Sequence, residues 1–250
     1  MRIEVLTGGA IRDLDPALSP GVTHLVLMPE QGHCPNPLRL SRALARRLRE
    51  GGAQFVEAAA LGFEFAAGRV ARVATDAGRV SVDAVVIAAG AHSKALAAQL
   101  GSRVPLETER GYHVMLSTPS LAPRIPICSG EGKWFATPME GGLRVAGTVE
   151  LAGLAAPPDY ARTEPLLTGA KRLFPGLRHG AVERWMGHRP SLPDSMPVLG
   201  RSPRFPNAFF AFGHGHVGLT AAAPTGEIVA ALVSGQKPAI DIAAFAADRF

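Results

Sequence analysis

A chain of 250 residues with 47% apolar and 19% charged residues has material for one large core or two small ones, which excludes intrinsic disorder. Two cysteines, Cys34 and Cys128, exclude a disulfide scaffold and a cysteine-rich zinc or iron–sulfur site. The net charge of +5 comes from a basic set in which all but four of 26 residues are arginines spread along the chain, so it points to acidic small molecules rather than nucleic acid.

The apolar run Ala84 to Ala89 is far short of the roughly 20 residues of a membrane span. Met1-Arg2-Ile3-Glu4-Val5 does not read as a signal peptide. A cytoplasmic protein is expected.

In chain order, the opening through Pro16, Pro20 and Gly21 reads as loop and turn, and Thr23 to Met28 as a short strand. Pro35 and Pro37 forbid a helix before Leu38. Leu38 to Glu50 is then an amphipathic helix stopped by Gly51-Gly52. Leu40, Leu44 and Leu48 repeat on one face, and Arg39, Arg42, Arg46, Arg47 and Arg49 form its solvated back. Strands are expected at Gln54 to Glu57, Leu61 to Phe65, Arg69 to Thr75 and Arg79 to Val82, the last three as an antiparallel meander.

The β-branched run from Asp83 to Gly90 reads as a central parallel strand buried on both faces, with Ser93 capping a short helix from Lys94 to Leu100. From Val104 to about Gly187, strand pieces at Tyr112 to Ser117, Trp134 to Thr137 and Leu143 to Thr148 alternate with turns, and Thr163 to Phe174 reads as a covering helix. Asn207 to Phe212 is an apolar strand, Gly213 to Gly218 a glycine loop, and Thr220 to Ser234 a helix. The fold class is α/β with an α+β insertion, a nucleotide-binding domain interrupted by a second domain.

Gly213-His214-Gly215-His216-Val217-Gly218 matches G-x-G-x-x-G between a strand and a helix, and Asp241 follows Gly218 by 23 residues. That spacing suits the ribose-binding acid of a NAD-binding dehydrogenase, which would require Asp241 at the end of a parallel strand beside Asn207 to Phe212. Against it, only nine residues follow Asp241, two histidines flank the tightest turn, and Pro224 interrupts the helix start. A glycine turn serving packing alone is the other reading. In either case glycines admit a close backbone approach, and a helix N-terminus favours an electron-rich ligand.

The ordered series Cys34-Pro35-Asn36-Pro37-Leu38, Asp83 to Ser93, Glu109-Arg110-Gly111-Tyr112-His113, Trp185 to Pro197 and Gly213 to Thr220 resembles the FAD-dependent D-amino-acid oxidase/dehydrogenase family, glycine and sarcosine oxidases included. It looks nearest to bacterial D-amino-acid and D-hydroxyproline dehydrogenases. The resemblance implies an incomplete FAD-binding Rossmann-like domain, 33–101 and 188–250, and an antiparallel-sheet substrate domain, 1–32 and 102–187. It implies FAD as cofactor and oxidation of the Cα–N bond of a D- or N-substituted amino acid by hydride transfer to flavin N5.

Members of the family begin with a βαβ unit bearing G-x-G-x-x-G, and nothing before Val22 resembles it. The expectation is therefore a truncated member, with a partner chain supplying the missing unit or accepting electrons. The alternative is a non-catalytic binding or structural subunit that needs such a partner to hold FAD.

Residue by residue, the resemblance makes Arg189 the fork that binds the substrate carboxylate, with pairing to a protein carboxylate as the competing role. It sets Gly213, Gly215, His216, Val217, Gly218, Leu219 and Thr220 against the flavin. His216 is the candidate catalytic side chain and His214 a structural one. Ala89, Gly90 and Ala91 fall to the ADP half, with Leu61 through its backbone. Tyr112 and His113 fall on a substrate-domain strand facing the pocket, or in the sheet core. No metal is expected, since His33 and Cys34 have no second ligand pair at zinc spacing.

Overall fold

In the computed structural model, which describes residues 2–250, the chain opens with β1 (Glu4–Thr7), α1 (Gly9–Leu14), β2 (His24–Leu27) and α2 (Pro37–Glu50). It continues through β3 (Ala60–Ala66), β4 (Arg69–Thr75), β5 (Gly78–Ser81), β6 (Val85–Ile87), α3 (Ser93–Gln99) and β7 (Glu107–Leu116). Then come β8 (Ile127–Ser129), β9 (Trp134–Met139), β10 (Gly142–Glu150), α4 (Glu164–Leu173) and β11 (Val182–Ser191). It closes with β12 (Val198–Arg201), β13 (Ala208–Phe212) and α5 (Ala222–Val233). Two units result: Met1–Phe55, Gly111–Glu150 and Pro157–Gly187 form the first, and Val56–Arg110, Leu151–Ala156 and His188–Phe250 the second.

The first unit is built on a sheet of order β11-β7-β10-β9-β8, with Leu143 opposite Pro138 and Gly147 opposite Trp134 in the β9–β10 hairpin. Leu166, Ala170 and Phe174, spaced for one face of a helical run, are buried in the same core as Trp134, Leu143 and Val145. Trp134 fits beneath α4 because Gly169 lacks a Cβ, which would stand 2.7 Å from Trp134 Nε1.

The opening segment is not loop: β1 pairs with β2, and Ile11 of α1 is fully buried in this core. Its fold depends on a distant partner, since buried Asp15 accepts the Arg124 N–H at 2.9 Å.

Helix α2 forms as its sequence predicts, with Asn36 as N-cap accepting the Arg39 N–H and Pro37 in the first turn. Its leucine face does not find a core. Leu40, Leu44 and Leu48 are 42%, 58% and 56% exposed, and no residue of α2 is buried. Local propensity and capping made the helix, while amphipathic spacing alone did not supply a partner surface. Its N-terminus is held by Glu140, which takes Asn36 Nδ2 at 2.6 Å and pairs with Arg39, while His33 Nε2 meets the Pro138 carbonyl at 2.9 Å. These ties lie within the first unit, to which α2 belongs, and the first division falls at 55/56. The remaining divisions fall at 110/111, 150/151, 156/157 and 187/188.

The second unit holds two three-stranded sheets, β12-β13-β6 and the meander β3-β4-β5. Buried Asn207 ties them. Its side chain accepts the Val70 N–H and donates to the Val70 and Asp83 carbonyls at 2.8 and 2.9 Å. Strands β6 and β13 run parallel, with Val85, Val86 and Ile87 opposite Ala208, Phe209 and Phe210.

Strand β6 is an edge, however, not a central strand: Ile87 is 4% exposed but Val86 is 37% exposed, because β13 is its one sheet neighbour. Gln54–Glu57 forms no strand, and Ser93 begins α3 instead of capping it.

Candidate functional site

The parallel pair β6–β13 gives the second unit a sheet edge at which both carboxyl ends lie side by side, the place where open α/β sheets bind ligands. Strand β6 leads into Ala89, Gly90 and Ala91, with Gly90 at φ +54° and open space where a Cβ would stand. Strand β13 leads into the glycine loop. Gly213 sits at φ +84°, where an L side chain is strained, and a Cβ on it would come 2.5 Å from Leu192 Cδ1 and force that side chain to shift. Gly215, at φ +52°, donates its N–H to the Pro190 carbonyl at 2.8 Å and clips the loop to the end of β11.

Past that clip, the N–H groups of Gly218, Leu219 and Thr220 have no backbone acceptor among the described residues, and no side chain caps α5. Leu61 lies in the β-bulge between Ala60 and Gly62, its side chain exposed and its carbonyl accepting Gln99 Nε2 at 3.2 Å.

Arg189 stands on β11 one residue before Pro190. Burial draws its pKa down from the ordinary arginine value, and the negative charge of Glu109 works the other way. Glu109, on the neighbouring strand β7, also receives the loop, since His216 Nε2 donates to Glu109 Oε2 at 3.1 Å. Arg189, Glu109 and His216 therefore converge within one unit. His214 Nε2 hydrogen-bonds Thr225 Oγ1 at 3.0 Å, tying the loop to α5, and burial lowers its pKa. His188 is hydrogen-bonded to Thr108 and held below the usual histidine value first by burial, then by the neighbouring Arg110 and His92.

Glu109 had no role in the sequence-based expectation, yet a signal for it exists. Along β7 the even residues Thr108, Arg110, Tyr112, Val114 and Leu116 are buried, while Glu107, Glu109, His113 and Met115 take the open face. That alternation also separates Tyr112 from His113, two neighbours on opposite faces of the strand. Tyr112, in the first unit, is 1% exposed. Its hydroxyl donates to Glu150 Oε2 at 2.5 Å and accepts the Asp159 N–H at 3.0 Å, a structural engagement inside the sheet core. His113 stacks on Trp185 with ring centroids 4.9 Å apart, and burial with the nearby Arg144 lowers its pKa to about 4.

Asp241 lies on no strand and accepts the Ala243 N–H, while the parallel neighbour of β13 is β6, so the NAD-binding alternative is overturned. No group of three His, Cys, Asp or Glu able to hold a metal occurs among the described residues. No helix among them is long and apolar enough to cross a membrane. A shallow hollow along α2, lined by Asn36, Leu38, Arg39, Arg42, Ala43 and Arg46, contains none of the expected site residues.

A mixed α/β chain whose glycine loop and strand ends share one sheet edge defines a nucleotide-binding class of fold. Residues 1–232 match the FAD-dependent oxidoreductase (DAO) family, and the chain belongs to it. It is 41% identical over 249 residues to a D-amino-acid oxidase of Bradyrhizobium diazoefficiens, covering 98% of this chain and 59% of that protein. A D-amino acid dehydrogenase of Paramagnetospirillum magneticum is 40% identical over 185 residues, 73% of this chain and 44% of the relative. Among solved structures, glycine oxidase from Geobacillus kaustophilus superposes with a TM-score of 0.87 at 27% identity, over all of this chain and 67% of its own. The chain thus spans 59% and 67% of the lengths of the oxidases that it matches over nearly all its residues.

The residues at the sheet edge fit the family's cofactor. The backbone is bare at Gly90, a Cβ at Gly213 would overlap Leu192, and the unbonded N–H groups of Gly218 to Thr220 precede an uncapped helix, an arrangement suited to anionic or electron-rich groups.

Proposed function

We propose that this chain carries the substrate-carboxylate site and part of the FAD-contacting surface of an oxidoreductase that oxidises the Cα–N bond of a D- or N-substituted amino acid. The reading rests on one observation above the others. The 2.8 Å bond from Gly215 N–H to the Pro190 carbonyl binds the glycine loop to the residue following Arg189, so cofactor-type and carboxylate-type elements share one rigid join. The names of the D-amino-acid oxidase and dehydrogenase relatives support the substrate class.

In this reading the Arg189 guanidinium grips the substrate carboxylate with two parallel N–H donors, a geometry that lysine lacks. Ala89, Gly90 and Ala91, with the Leu61 backbone, line the ADP half of the cofactor. Gly213, Gly215, Val217, Gly218, Leu219 and Thr220 line the flavin half. When bound, FAD supplies the two-electron acceptor for the hydride leaving the substrate Cα.

The chain itself orients and stabilises. The N–H groups past the clip and the positive end of α5 favour negative charge beside them. Exposed Val217 and Leu219 offer apolar cover against water, and His216, braced by Glu109, presents a polar edge on the same loop. No side chain is required as a base, because positioning supplies the rate.

The test is reconstitution. Protein mixed with FAD and freed of unbound flavin should stay yellow, and anaerobic D-alanine or N-methylglycine should bleach the visible flavin band. Colourless protein, or a band that neither amino acid bleaches, overturns the reading.

A further inference from the structure

The reading above gives Glu109 no task beyond bracing His216, but its position makes a specific demand on whatever Arg189 binds. Glu109 lies on the open face of β7, its side chain about a third exposed at 32%, on the strand next to that of Arg189. Its Oε2 is taken by His216 at 3.1 Å, which fixes the carboxylate while leaving Oε1 to a second donor. A plain carboxylic acid approaching Arg189 meets this negative charge and is repelled. An α-amino acid brings its own ammonium, one carbon away from its carboxylate, and so presents opposite charges to two opposite charges.

We propose that Glu109 is the receptor for the substrate's ammonium group and the residue that selects amino acids over simple carboxylic and hydroxy acids. The inference rests on the assignment of Arg189 as the carboxylate receptor. The carboxylate of Glu109 accepts an N–H of the cationic amine while Arg189 holds the other end, and the pair together recognises the zwitterion. His216 is the positioning residue, because its N–H keeps Glu109 turned toward the loop side of the strand.

The experiment compares two acids of one carbon skeleton, 2-aminoisobutyrate and isobutyrate, by titration calorimetry on the full chain with FAD present. The amino acid has no hydrogen on Cα, so binding is read without turnover. The wild-type protein is expected to prefer 2-aminoisobutyrate by about tenfold or more, the range of a hydrogen bond between charged groups. Glu109→Gln should abolish the preference while leaving isobutyrate binding equal or tighter, which also shows that the variant is folded. Glu109→Asp should restore part of it.

A preference that survives Glu109→Gln, or a loss that strikes both acids alike, overturns the role of Glu109 alone. A wild-type protein that binds neither acid overturns the assignment of Arg189, and this inference falls with it.

Discussion

Replacing Gly213 by alanine puts a methyl group where the fold has no room for one. The backbone there is at φ +84°, a conformation that costs an L-residue about 1–2 kcal/mol. The added Cβ would stand 2.5 Å from Leu192 Cδ1, well inside van der Waals contact, so the 5% exposed Leu192 must shift within its packed surroundings. Overpacking of that kind costs about 1–3 kcal/mol, so the whole substitution should destabilise the protein by about 2–5 kcal/mol. Urea unfolding followed by circular dichroism reads the loss.

Crossing Gly213→Ala with Leu192→Ala separates the two causes. The truncated leucine removes the overlap but not the dihedral strain, so the double variant should be about 1 kcal/mol or more better than the sum of the singles. A Gly213→Ala protein within about 0.5 kcal/mol of wild type, or strictly additive effects, would refute the packing argument.

Arg189→Lys keeps the charge and loses the fork; with D-alanine as substrate the KM should rise about tenfold or more, and an unchanged KM would refute its role as the carboxylate fork. Tyr112→Phe removes a buried hydroxyl bonded to Glu150 and the Asp159 N–H, so about 1–3 kcal/mol of stability should go in thermal or urea unfolding with KM unchanged. A raised KM at full stability would make Tyr112 a substrate contact instead. His113 ties stability to acid: its pKa is about 4 in the folded chain against an ordinary 6.5, so protons bind the unfolded chain first. The stability contributed by the neutral ring is complete above pH 6.5 and is lost as pH falls toward 4. His113→Gln should flatten that part of the stability–pH curve, and an unaltered slope would count against the burial of the ring.

Much of the architecture is legible residue by residue. Asn36, Pro37 and Gly51 bound α2 through local chemistry, and the turns at Ala66-Ala67-Gly68 and Asp76-Ala77-Gly78 delimit the β3-β4-β5 meander. The strand, glycine turn and helix from Ala208 to Val233 appear where composition and periodicity put them. What failed depended on distant partners. The first helix needs a core shared with β7, β9 and β10, and the exposure of Val86 depends on how many strands flank β6.

The sequence by itself determined the elements with local causes and the ordered motifs that identify the family, because caps, turns and glycine loops act over a few residues. It also contained the alternation that sets Tyr112 inward and Glu109 outward on β7. Only the tertiary structure decided that His216 reaches Glu109 on the strand beside that of Arg189, for they lie on two strands and a loop separated by many residues. Hydrogen bonds such as Gly215 to Pro190 and His216 to Glu109 exist only once the sheet registers are set. Length and arginine content bounded what the chain could be; the adjacency of β7 to β11 brought the charge of Glu109 to bear on Arg189.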